Sequence, residues 1–149
     1  MRGVYTLILR VNKPTAIRIG ALGILRFRAG TYVYVGSGLG RNASSVEGRI
    51  ARHLGMRKKN HWHIDYLLGS ARVTLLRVTY AITRRHVECG LAEHLSYGQP
   101  SSCLYVHFGS SDCNCRAHLL FMGRVSGNRV YALVRNAYRR LDLNFRHMP

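Results

Sequence analysis

The stretch GTYVYVGSGLGR, residues 30–41, decides how this chain folds. Its first half interleaves tyrosine with β-branched residues, the composition of a strand. Residues two apart in a strand face the same side. Tyr32 and Tyr34 therefore share one face, and Thr31, Val33 and Val35 take the other. The glycines that follow end the strand and let backbone and Arg41 approach a phosphate. Packing, ligand contact and chemistry are all open to such a tyrosine face.

Upstream, residues 3–11 (GVYTLILRV) read as a buried strand. Residues 13–28, with Pro14, Gly20 and Gly23, read as an irregular hairpin containing the strand piece AIRIG. Downstream, ASSVEGRIARHLG places Glu47 three residues after Ser44, the spacing of a capping box. Val46, Ile50 and Leu54 then recur every four residues as a core stripe, and Gly55 ends the helix. Arg49 and His53 share the face beside that stripe.

MRKKNHWHIDYLLG follows as a basic loop running into a short helix or turn. Residues 72–82 alternate as a strand with Leu76, Val78, Tyr80 and Ile82 on one side. RRHVECGLAEHLSYG predicts a helix with Val87, Leu91 and Leu95 inward, Glu88 half-buried and Glu93 on the far flank. LYVHFGSSDCNCRAHLLFMG predicts a short strand, a turn and a helical turn. Residues 129–134 read as another strand leading to a basic helix or tail. Gly38, Gly40 and Ala43 also fit a dinucleotide-binding spacing, but no βαβ series follows them.

Charge is the dominant global feature. Twenty-three basic residues, twenty of them arginine, face six acidic ones, for a net charge of +17. Arginine's planar fork pairs bidentately with phosphate, so the excess points to a polyanionic partner, above all nucleic acid. A two-metal nuclease needs several convergent carboxylates. Six scattered acids argue instead for one ion on one carboxylate. The chain length predicts one domain, residues 1–149. The chain enters strand-like sequence at once, with no secretory signal and no apolar run of membrane length. A cytoplasmic protein off the membrane, with Cys89, Cys103, Cys113 and Cys115 as reduced thiols, is the expectation.

The motifs GVY, GTYVYVGSG, RIARHL, HWHIDYLL, EC and FGSSDCNCRAHL, in that order, resemble the GIY-YIG nuclease superfamily and its Uri-like endonuclease branch. The resemblance runs over residues 3–122. It implies an α+β fold built on a small antiparallel three-stranded sheet flanked by helices. Here that core would carry an extended hairpin insertion and, over residues 123–149, a basic C-terminal extension. It further implies metal-dependent cleavage of a DNA phosphodiester, with Tyr5, Tyr34, Arg49, His53 and Glu88 as catalytic residues. One Mg²⁺ or Mn²⁺ on Glu88 and several waters would stabilise the departing 3′ oxygen. Tyr5 or Tyr34 would orient or deprotonate the attacking water, helped by His53, and Arg49 would neutralise developing charge. A free phenol ionises near pH 10, so a tyrosine base needs cations beside it. Tyr32 would support this face or touch substrate. Arg41, Arg52, Arg57, Lys58, Lys59, His61 and His63 are the expected nucleic-acid contacts.

Cys89, Cys113, Cys115 and His118 form a second constellation, whose thiols and imidazole suit a structural zinc. Buried cysteines are equally ordinary core fillers. His61, His63 and Asp65 invite a metal reading too, but the interleaved Trp62, Ile64 and Tyr66 favour a structural or substrate-facing cluster. Two rivals to a nuclease stand. One is a non-catalytic nucleic-acid-binding module that keeps the fold, the other a zinc-stabilised scaffold docking on a nucleic-acid enzyme or ribosome.

Overall fold

The structure is a computed structural model and describes residues 1–55, 59–97, 108 and 117–148. Its centre is β1 (Gly3–Val11), antiparallel to β4 (Gly30–Gly38) on one side and to β5 (Val73–Ile82) on the other. A hairpin of β2 (Thr15–Arg18) and β3 (Ile24–Phe27) lies between β1 and β4 in sequence and forms its own two-stranded sheet. Helices α1 (Val46–Leu54), α2 (His63–Leu68), α3 (Glu88–Ser96) and α4 (Gly127–Arg140) cover the main sheet. Strands β6 (Leu119–Gly123) and β7 (Phe145–His147) complete it, giving the order β6-β4-β1-β5-β7.

The main sheet thus has five strands, and the three-stranded expectation is overturned. Both additions have a physical reason. In β6, Leu119 and Phe121 pack on one face and Leu120 and Met122 on the other. A strand buried on both sides shows no alternation, so periodicity cannot separate it from a helical turn. Residues 129–134 form helix, not strand. The Ser126 hydroxyl caps α4 by accepting from the Arg129 amide at 3.2 Å. Val130, Val134, Ala137 and Tyr138 then bury one helical stripe. The C-terminal residues are no appendage: α4 fills one face of the sheet and β7 pairs with β5.

Both faces of the sheet are covered, which is why GVYTLILRV is apolar throughout. Tyr5, Leu7 and Leu9 join Tyr32 and Tyr34 on a face closed by α1, α2 and the hairpin. Val4, Ile8, Val33 and Val35 join Leu91, Leu95 and the α4 stripe on the other. Tyr138 anchors that second face, its hydroxyl donating to the Thr79 carbonyl at 3.2 Å.

Two local readings shift. Ser45, not Ser44, caps α1, accepting from the Gly48 amide at 3.1 Å, while Glu47 meets the Met1 ammonium at 2.6 Å. Leu54 is 49% exposed and His53 is buried in its place. In β5 the register with β1 slips between Ile8 and Leu9, bulging out Leu76 and turning it to solvent. No helix among the described residues is long and apolar enough to cross a membrane.

Candidate active site

The name-giving glycines are set by close approach. A Cβ on Gly36 would lie 2.5 Å from Cζ of Tyr5, and one on Gly3 would lie 2.2 Å from the Ala81 carbonyl oxygen. Gly36 sits opposite Tyr5 in the β1–β4 register, so the missing side chain makes room for the phenol. That ring is buried, and its hydroxyl meets Nε2 of His53 at 2.7 Å. Tyr34 lies alongside, with its ring 6.4 Å from Tyr5 and 6.3 Å from His53. Tyr32, on the same face, is buried against Phe121, and its hydroxyl donates to the Arg28 carbonyl. It supports the face and has no opening to substrate.

His53 is held from behind by Trp62, whose ring lies 6.1 Å away. The Arg49 and Arg52 guanidiniums each lie 4.9 Å from the same indole. Arg52 also pairs with Asp65 at 2.9 Å and donates to the Lys59 carbonyl. Asp65 is buried and accepts from the His61 and Trp62 amides at 2.8 and 2.9 Å. Burial pushes the Asp65 carboxyl up, but the two amides and Arg52 outweigh it and hold the group below the usual carboxylate range. Asp65 therefore builds the start of α2.

Burial pushes the Tyr5 phenol well above its ordinary value, and Tyr34 pushes it further. Arg49 pulls the other way and Glu88 adds to the rise. Tyr5 is thus a neutral phenol that donates to Nε2 when the imidazole carries its proton on Nδ1. The same balance places Arg49 and Glu88 within electrostatic reach of Tyr5. Glu88 opens α3 at the end of the sheet that holds Gly3 and Gly36, and its carboxylate lies 3.9 Å from His118.

The remaining expected contacts divide. Arg41, Lys59 and His61 are exposed. His63 is half-buried near Phe108, which lowers its pKa. Arg57 and Lys58 lie outside the described residues, as do Cys103, Cys113 and Cys115. Cys89 lies 3.6 Å from His118 and is disulfide-bonded, against the expectation of a reduced thiol. In that state it has no thiolate to offer zinc. Among the described residues no group of three or more His, Cys, Asp or Glu is arranged to hold a metal. A hydrated Mg²⁺, which keeps most of its waters and takes one or two carboxylates, needs no such group, and the single partly exposed Glu88 fits it.

Sequence reading used Trp62 only as an apolar spacer among His61, His63 and Asp65, and not as the centre of this cluster. The signal was there: it is the chain's one tryptophan, set between two histidines in a basic segment.

Residues 4–142 of the chain match a family model described as domain of unknown function DUF123. The chain belongs to that family, which is GIY-YIG-like and nuclease-related. No curated protein and no solved structure gives a significant match to it.

Proposed function

We propose that the protein is a metal-dependent endonuclease of the Uri-like GIY-YIG branch, hydrolysing DNA phosphodiester bonds. One observation carries the reading: Tyr5, Tyr34, Arg49 and His53, drawn from two strands and a helix, surround one phenol–imidazole hydrogen bond. A packing tyrosine needs no buried imidazole, and burying one costs free energy unless it is used or satisfied.

The chemistry follows from that pair. Water attacks phosphorus as Tyr5 accepts its proton and passes its own to Nε2 of His53. A bond from phosphorus to the water oxygen forms and the bond to the 3′ oxygen breaks. Arg49 neutralises charge gathering on the phosphoryl oxygens, and Tyr34 orients the attacking water. Glu88 would hold the divalent ion, which supplies Lewis-acid stabilisation of the leaving oxygen when bound.

A second reading has one observation in its favour. Tyr5 is only 1% exposed and its phenol is held protonated, as suits a nucleic-acid-binding module that kept the fold without cutting. Cleavage of duplex, single-stranded and branched DNA with Mg²⁺ or Mn²⁺ separates the two. Cutting that needs metal and vanishes in Glu88→Ala supports the nuclease. Salt-dependent binding without cutting by the wild type would overturn it in favour of the module.

A further inference from the structure

The face of the sheet opposite the tyrosines carries a second concentration of charge. Tyr131, Arg135 and Arg139 lie four residues apart on α4 and form one stripe about 12 Å long. Arg77 reaches across from β5 to lie 4.0 Å from the centre of the Tyr131 ring, and Arg135 lies 5.1 Å from it. His147 of β7 meets the Tyr131 hydroxyl at 3.3 Å, and Arg139 lies 5.7 Å from the Phe145 ring. Cations and aromatic rings thus interleave along α4 and β7.

No acid balances them. The ion pairs among the described residues join Met1 to Glu47, Arg52 to Asp65 and His118 to Glu88, and none reaches this stripe. Nε of Arg135 is buried without a hydrogen-bond partner among the described residues. Two guanidiniums gathered on one neutral ring repel each other, against cation–π attraction of about 1 kcal/mol each. An anion bridging the forks removes the repulsion and supplies the missing acceptors.

We infer that Arg77, Tyr131, Arg135, Arg139 and His147 form a second phosphate-backbone site, which holds a stretch of DNA on the face opposite Tyr5 and Tyr34. Arg135 and Arg139, one helical turn or about 6 Å apart, with Arg77 beside the same ring, offer several cations together, as a polymer of phosphates requires. The inference rests on the reading of DNA as partner and extends it: the substrate is gripped at two places, one of them away from the chemistry.

The test is the salt dependence of DNA binding by the full chain, followed by fluorescence anisotropy on a labelled duplex without divalent metal. Neutralising two phosphate contacts in R77Q/R135Q should lower the slope of log K against log salt by about 2, since each contact contributes about 0.9. R77K/R135K keeps both charges and should restore the slope. K13Q/R72Q removes two exposed charges at the far end of the sheet and should leave it near wild type. Melting curves for each variant confirm folding. An unchanged slope in R77Q/R135Q, or an equal fall in K13Q/R72Q, overturns the site, as does a wild type that shows no salt-dependent binding. A wild type that binds but never cuts overturns the nuclease reading alone, because this measurement involves no cleavage.

Discussion

Gly36 and Tyr5 are complementary: the space that any side chain on Gly36 would take is filled by the Tyr5 phenol, at 2.5 Å from the ring and 2.6 Å from its oxygen. The ring is buried and cannot swing away. Gly36→Ala should cost about 1–3 kcal/mol by overpacking and displace the hydroxyl from His53. A melting curve and a cleavage assay on the same preparation read both effects. Unchanged stability with unchanged cutting would show that the pair is not coupled.

Tyr5→Phe removes only the oxygen that meets His53 at 2.7 Å. Losing one hydrogen bond should cost about 1 kcal/mol, with His53 left short of a partner. Cleavage should fall by about 10²-fold or more, in keeping with the loss of a proton-transfer group. Tyr34→Phe, which leaves the phenol–imidazole pair intact, should retain more activity than Tyr5→Phe. The opposite ranking would hand the proton-transfer role to Tyr34.

Two buried phenols govern alkaline stability. Burial holds Tyr5 well above its ordinary value of about 10, and the wholly buried Tyr138 is also held up. The unfolded chain releases these protons first, so their contribution is intact below about pH 10 and is lost as pH rises above it. Urea midpoints between pH 8 and 11 should be level and then fall. Tyr138→Phe should soften that fall.

Asp65 sets the acid limb. Its carboxyl is held below the ordinary range by the Trp62 and His61 amides and Arg52, against the opposing effect of burial. Its contribution is therefore present above about pH 4 and disappears as pH drops through the lower folded value. Asp65→Asn should cost about 1–3 kcal/mol at neutral pH, because it removes the charge partner of the part-exposed Arg52 and weakens two amide bonds. It should also flatten the stability profile between pH 5 and about pH 2. An acid profile identical to wild type would remove Asp65 from this role.

The central strands were legible because their residues are unambiguous. GVYTLILRV and GTYVYVGSG are rich in β-branched and aromatic residues, and the structure pairs them residue for residue. The Arg49–His53 helix face was legible from spacing alone. Two later runs were misread. LLFMG, without alternation, hid a strand, and RVYALV hid the middle of a helix whose stripe emerges only over fourteen residues. The structural reading of Asp65 was legible, but its partner was not. Its role depends on Arg52, thirteen residues away, and no local pattern reports a long-range ion pair. The choice of His53 over Leu54 as the inward residue likewise depends on Tyr5, across 48 residues.

The bulge at Leu76 has a consequence for self-association. β7 pairs only with Thr79–Ala81, so on that side the first half of β5 is a bare edge among the described residues. Such an edge is a template on which another copy can add a strand. The displaced residue breaks the regular ladder there, and Arg72 and Arg77 bracket the break with like charge. A second copy approaching this edge meets the same two cations and a mismatched register. The irregularity thus disfavours edge-to-edge pairing of two copies at this strand.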